Sequence, residues 1–218
     1  MLVAGIDEAG RGPVVGPLVM AVACIEKKDE QLLADLGVKD SKQLAKKKRE
    51  ELFPKIQKTV HSFNIAKVTA KELDALMERH SLNEIEAMVA GQLLNSLEKK
   101  PKIVFVDSPD ILQENFGVRI KKYISFEVKI NSEHKADVNY PIVSAASVLA
   151  KVVRDNEILE LEKVFGKIGS GYSHDEQTIT FLKKYLQMNN SFPEIVRKKW
   201  LTAQNLLEEK FQKKILNW

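Results

Sequence analysis

Apolar residues in this chain form short continuous runs near the start and helix-spaced patterns further on. Leu2 to Glu8 and Val14 to Ile25 are runs rich in branched side chains, and both read as buried strands. The first meets a turn signal, Ala9-Gly10-Arg11-Gly12-Pro13. No crossover helix fits between the two, so the sheet is expected to begin antiparallel. A helical pattern runs from Ser41 into Lys58, and Ser62 to Thr69 reads as a third strand. Helical spacing then occupies Ala70 to Arg79 and Leu82 to Lys99, where Ser81 with Glu84 three residues on predicts a capping box. Strand Lys102 to Asp107, helix Ile111 to Lys122 and strand Ser125 to Ile130 follow. That alternation predicts parallel additions to the same sheet. From Asp137 the pattern reads as one long helix with Pro141 in its opening turn. Ser144, Ala145, Ala146 and Ser147 are small enough to let that helix pack closely on the sheet.

Four acids stand at the ends of these elements. Asp7 and Glu8 close the first strand, Asp107 closes the run Ile103-Val104-Phe105-Val106, and Asp137 stands at the mouth of the long helix. Neighbours in a regular strand face opposite sides of the sheet, so Asp7 and Glu8 can share a site only if the backbone leaves strand geometry near Glu8. The two glycines permit such a break. Carboxylates in apolar surroundings resist ionisation and raise one another's pKa, and a bound cation removes that penalty. An all-oxygen donor set suits Mg2+ or Mn2+, whereas four histidines and one cysteine offer little to zinc.

Composition narrows the class. A chain of 218 residues that is 44% hydrophobic and 29% charged reads as a soluble globular protein, one domain with an appendage. Its longest apolar stretch, Leu18 to Ile25, is far short of the roughly 20 residues a membrane helix needs. No basic segment precedes the first strand, so a secretory leader is not expected and a cytoplasmic location is. Cys24 lies within the apolar stretch and reads as a buried thiol. The formal charge of +4 comes entirely from Val196 to Trp218, with six Lys or Arg against two Glu. That makes the tail the candidate basic surface, with a solvated helix face as the plainer reading.

Gly5-Ile6-Asp7-Glu8-Ala9-Gly10-Arg11-Gly12-Pro13, Asp40-Ser41-Lys42, Val106-Asp107, His134-Lys135-Ala136-Asp137, Ser144-Ala145-Ala146-Ser147 and Gly169-Ser170-Gly171-Tyr172 occur in one order. In that order the chain resembles type 2 ribonuclease H, the archaeal members above all. The resemblance covers nearly the whole chain. It implies an α/β, ribonuclease H-like fold: a five-stranded mixed sheet flanked by helices, with a helical C-terminal extension. Residues 1–190 would form the catalytic domain and 191–218 the basic extension. It implies hydrolysis of the RNA strand of RNA–DNA hybrids and incision 5′ of a ribonucleotide embedded in DNA. The expected mechanism uses two Mg2+ or Mn2+ ions on Asp7, Glu8, Asp107 and Asp137 and leaves 5′-phosphate and 3′-hydroxyl ends.

The same resemblance implies which residues meet the substrate. Backbone groups of Gly10, Arg11 and Gly12 are expected at the 2′-hydroxyl, with a plain hairpin turn as the competing reading. Tyr172 is expected against the deoxyribose after the junction. Ser41 and Lys42 are expected near substrate phosphates, Lys135 holds a phosphate or only offsets the acids, and Ser144 is expected on the substrate side, with packing as its plainer reading. His134 more often has a structural part than a proton-shuttling one. The last seven residues resemble a clamp peptide: Gln212, Ile215 and Trp218 stand at positions one, four and seven, as in peptides that hook replication enzymes onto a sliding clamp. A terminal turn packing Phe211, Ile215 and Trp218 on its own domain fits equally well. Nothing demands more than a monomer. A junction resolvase on the same fold would lack the Gly-Arg-Gly and Tyr172 pair; a sugar-kinase-like phosphotransferase would need phosphate loops that are not visible after Asp7. A non-catalytic hybrid binder would not need four convergent acids.

Overall fold

A computed structural model describes residues 1–38 and 44–216, with side chains through Gln212. Asp40, Ser41, Lys42 and Trp218, together with the side chain of Ile215, lie outside the described residues. Five strands form one mixed sheet in the order β3-β2-β1-β4-β5. They are β1 (Leu2–Ala9), β2 (Leu18–Glu26), β3 (Ser62–Val68), β4 (Ile103–Asp107) and β5 (Lys129–Glu133). The sheet begins antiparallel at β1–β2, then adds β4 and β5 in parallel, as the pattern of runs and crossovers predicts. The described helices are α1 (Glu30–Asp35), α2 (Lys46–Thr59), α3 (Ala70–Leu76), α4 (Leu82–Ser96), α5 (Gln113–Lys121), α6 (Ala136–Asn139), α7 (Pro141–Phe165), α8 (Glu176–Asn189) and α9 (Leu201–Leu216).

The departures from the sequence reading have identifiable physical causes. β2 starts at Leu18 rather than Val14, because Gly16 sits at φ 91° and Pro17 has no N–H for a ladder. β5 covers Lys129–Glu133 rather than Ser125 to Ile130, since the Ser125 amide and hydroxyl both donate to the Asn95 side chain of α4. The single helix expected from Asp137 is two helices. Tyr140, which precedes a proline, is driven to extended geometry (φ −123°, ψ 115°), and Pro141 starts α7 afresh. Ser81 does cap α4 by accepting from the Glu84 amide, but the reciprocal half of the capping box is not what Glu84 makes. Its carboxylate is engaged by Arg119 at 2.8 Å and by the Tyr123 hydroxyl at 2.6 Å. The full capping box belongs to α3, between Thr69 and Glu72.

The chain divides into two compact units. The first comprises Met1–Ala9, Val19–Lys67 and His80–Val153; the second comprises Gly10–Leu18, Val68–Arg79 and Arg154–Trp218. In the first, sheet residues such as Val3, Ala21, Ala23 and Ile25 share a core with Ala145, Ala146 and Leu149 of α7 and with Leu52 and Ile56 of α2. Cys24 is buried, and burial pushes its thiol up to about 11. The second unit gathers Val14, Val15, Ile168, Phe181, Leu182, Leu186, Val196, Ala203 and Leu206 around its own core. Among the described residues no helix is long and apolar enough to cross a membrane.

One contact sets the first unit's geometry. A Cβ on Gly5 of β1 would lie 2.5 Å from the Ile142 carbonyl and from the Val143 amide, so the opening turn of α7 rests directly on strand backbone. Gly5→Ala is therefore expected to force α7 off the sheet and to destabilise the fold by about 1–3 kcal/mol, the usual cost of overpacking. Thermal or urea unfolding of the two proteins measures it; equal midpoints would mean that α7 can retreat without loss.

Candidate active site

Asp7 and Asp107 are brought together by strand register. Parallel pairing of β1 and β4 matches Ile6 with Val106, so the next residue on each strand is an acid. Register-matched side chains on neighbouring strands, about 4.8 Å apart, point to the same face. Asp7 is only 4% exposed, and its carboxyl is raised from 3.8 to about 6. Burial is the main cause, and the nearby Asp107 charge adds to it; Lys151, Ser147 and the Glu8 amide act in the opposite direction. The Glu8 N–H donates to Asp7 Oδ1 at 2.8 Å.

The break that the glycines permit comes after Glu8. β1 stays paired through Ala9, with Glu8 opposite Met20 and Ala9 opposite Val19, and the backbone breaks only at Gly10 (φ 82°). An unbroken strand directs the Glu8 side chain to the other face of the sheet from Asp7.

A cap sets the backbone of Asp137 near the end of β4. The Ala136 amide, first in α6, donates to Asp107 Oδ1 at 3.0 Å, which fixes the next residue, Asp137, beside the end of β4. Asp137 is 1% exposed. Lys135 precedes it in left-handed backbone geometry (φ 59°) and is exposed, a conformation unfavourable for a residue with a Cβ. His134 is tied down: its Nε2 lies 2.8 Å from the Asp110 carbonyl and its amide donates to Gln113. That gives it the structural part.

Two α7 residues complete the surroundings of Asp7. Ser147, fully buried, hydrogen-bonds Asp7 and accepts from Lys151 Nζ one helical turn on. Sequence reading treated Ser147 as packing and passed over Lys151; the only available signal was their i, i+4 spacing on the helix that carries the small residues. Ser144 is fully buried and its hydroxyl donates to the Val38 carbonyl, which accords with its packing reading.

Among the described residues, no three His, Cys, Asp or Glu side chains close into a ready-made metal cage. A hard ion such as Mg2+ does not require one, because one or two carboxylates commonly hold it while water and substrate phosphate fill the remaining positions. A buried carboxyl such as Asp7, its ionisation held back by burial and a second acid on the next strand beside it, is a donor that fits such an ion.

In the second unit, the Gly10–Gly12 segment meets the loop Gly169 to Tyr172. The amides of Val14 and Val15 both donate to the Gly171 carbonyl, and a Cβ on Gly12 would lie 3.7 Å from Tyr172 Cε1. Tyr172 packs over the Arg154 guanidinium at 5.2 Å, and Arg154 donates to the Ser170 carbonyl at 2.6 Å. The two motifs are thus neighbours. The basic tail is less of a surface than its charge count suggests. Arg197 is fully buried, Lys199 pairs with Glu78 at 2.9 Å, and Lys210 donates to the Asn190 side chain at 2.8 Å behind the end of α8. Gln212 is exposed near the end of α9.

The family model described as Ribonuclease HII matches residues 4–203. A protein named Ribonuclease HII from Pyrococcus horikoshii is 47% identical over 213 residues, 98% of this chain and 96% of that protein. The crystal structure of the ribonuclease H2 from Pyrococcus horikoshii OT3 superposes with a TM-score of 0.91 at 47% identity, covering 98% of this chain and all of that one. A structure of the PCNA:RNase HII complex from Archaeoglobus fulgidus gives 0.83 at 40% identity, covering 92% and 95%.

The Asp7 shift has a measurable consequence in metal-free protein. Its folded pKa of about 6 exceeds the unfolded 3.8, so the stability it contributes is complete below about pH 4 and is lost as pH rises through about 6. Ionised and buried at neutral pH, it weakens the fold by roughly 1–3 kcal/mol. Asp7→Asn is expected to raise the metal-free melting temperature at neutral pH and to give no gain near pH 4. Equal changes at both pH values would show that burial of the charge does not govern the site.

Proposed function

The chain belongs to the ribonuclease HII family and is an endoribonuclease acting on the RNA strand of RNA–DNA hybrids, and from that premise we propose that it also incises duplex DNA 5′ of an embedded ribonucleotide. We propose a two-metal-ion hydrolysis leaving 5′-phosphate and 3′-hydroxyl ends. The observation that carries this reading is the buried Asp7 beside Asp107, with its carboxyl held well above the ordinary range.

Asp7, Asp107 and Asp137 would hold the ions, with Glu8 as the fourth acid once the end of β1 turns its carboxylate toward them. Bound Mg2+ or Mn2+ would supply an activated water and charge stabilisation for the departing 3′ oxygen. The protein's own groups do the rest. Ser147 orients the Asp7 carboxylate, and Lys151 offsets the local negative charge before substrate arrives. Lys135, exposed next to the acids, receives a phosphate of the cleaved strand. The backbone of Gly10, Arg11 and Gly12 reads the 2′-hydroxyl, the group that distinguishes ribose from deoxyribose. Tyr172, its ring fixed over Arg154, packs against the following deoxyribose. Ser41 and Lys42 belong to the same proposed substrate side.

Residues 1–190 carry hydrolysis in this reading, and 191–218 add the extension that ends in Gln212, Ile215 and Trp218. The Archaeoglobus fulgidus relative solved as a PCNA complex supports a sliding clamp as the partner of that end. A monomer working in the cytoplasm on replication primers and misincorporated ribonucleotides fits this set of contacts.

Product mapping on a duplex with one ribonucleotide tests the main reading. A cut on its 5′ side with Mg2+ or Mn2+, none with chelator, and a loss of at least about a hundredfold in Asp7→Asn are expected. Metal-independent cutting would overturn it. Deleting residues 212–218 is expected to abolish capture by a sliding clamp while hybrid cleavage continues at the normal rate; capture that survives the deletion removes the clamp peptide from the proposal.

A further inference from the structure

The second unit contains a fully buried arginine that the hydrolysis does not use. Residues 14–16 run beside 195–197: Val15 bridges Val196, the Gly16 amide donates to the Ile195 carbonyl at 2.9 Å, and the Arg197 amide donates to the Val14 carbonyl at 2.9 Å. This pairing seats Arg197 beneath the Gly10–Gly12 segment. The guanidinium then donates through Nη2 to the Gly10 carbonyl at 2.6 Å, through Nη1 to the Arg11 carbonyl at 3.0 Å, and through Nε to the Gly16 carbonyl at 2.9 Å. Trp200 stacks on the same guanidinium at 4.7 Å, and its indole N–H reaches the Gly12 carbonyl at 3.2 Å. Three consecutive carbonyls are therefore held by one turn of chain. That turn is itself pinned, since the Lys198 and Lys199 amides both donate to the Asp74 carboxylate at 2.8 and 3.1 Å.

In a trans peptide the carbonyl and the following N–H point in opposite directions. Drawing the Gly10 and Arg11 carbonyls inward onto Arg197 turns the Arg11 and Gly12 amides the other way. Gly12 is exposed, whereas Gly10 is buried. The Gly12 carbonyl has Pro13 after it, so its hold on Trp200 turns no further amide and serves only to fix the segment. We propose that Arg197, with Trp200, is a specificity-positioning pair: it sets the direction of the two amides that read the ribose 2′-hydroxyl, without touching substrate itself. This rests on the reading of Gly10–Gly12 given above. A guanidinium suits the task because its donors lie in one rigid plane, which a lysine ammonium cannot reproduce.

The test is a ratio rather than a rate. Affinities of the full-length protein for a duplex with a single ribonucleotide and for the same duplex made wholly of DNA are measured with calcium in place of the catalytic ion. Arg197→Lys is expected to lower the ribo-to-deoxy affinity ratio by up to about tenfold, the effect of one lost hydrogen bond, while affinity for the all-DNA duplex is retained. A parallel fall in both affinities with the ratio preserved would reduce Arg197 to a structural support and overturn the proposal. Equal affinity of the unaltered protein for the two duplexes would overturn both this proposal and the reading of Gly10–Gly12 beneath it, whereas a normal ratio in Arg197→Lys sinks the proposal alone. Should the lysine variant fail to fold, Trp200→Phe keeps the ring over Arg197 and removes only the bond to Gly12. A fall of about threefold in the ratio is then expected, and an unchanged ratio overturns the proposal.

Discussion

The contact of α7 with bare backbone at Gly5 is the constraint from which the acidic site follows. Gly5 and Asp7 lie two residues apart on one face of β1, a rise of about 7 Å. Val143 and Ser147 lie four residues apart on α7, a rise of about 6 Å. With Val143 seated on Gly5, Ser147 falls level with Asp7, and Lys151 follows one turn further. A helix held at ordinary distance by a Cβ would leave the Asp7 carboxylate in contact with water instead of a hydroxyl. Close approach therefore supplies both the burial that raises the Asp7 pKa and the hydrogen bond that limits the rise.

The site that results is in tension with the fold that holds it. Asp7 is held beside Asp107 at a place where burial disfavours its charge, and Lys151 is a cation that acts on it. Proteins accept such tension where binding of a charged ligand relieves it, and stability is lost to function there. Register makes the arrangement durable. The parallel β1–β4 ladder sets Asp7 beside Asp107, and the same Asp107 oxygen that accepts from Ala136 fixes the start of α6.

Charge in the C-terminal segment works differently from what its composition suggests. Arg197 contributes to the formal excess, yet its guanidinium is wholly enclosed by carbonyls and an indole ring, and Lys199 and Lys210 are engaged with groups of their own unit. Counting charges assumes that each one faces water. A guanidinium with several acceptors in its plane can be an internal tie instead, and here it shapes a loop some 185 positions earlier in the chain.

What the sequence determined by itself is what depends on local pattern or on a motif long enough to be specific. Apolar runs located β1 to β4, crossovers gave the antiparallel start and the parallel additions, and the acids at the ends of β1 and β4 were legible because a polar residue closing an apolar run is conspicuous. Boundaries failed where the deciding partner was distant, as when Asn95 held Ser125 out of β5, or where a backbone rule outweighed periodicity, as at Tyr140 before Pro141. Only the tertiary structure decided that Ser144 faces Val38, that Ser147 and Lys151 serve Asp7, and that Arg197 lies under Gly10–Gly12. Such pairings rest on side chains meeting across elements far apart in the chain, and the spacing of residues within one element carries no record of what packs against it.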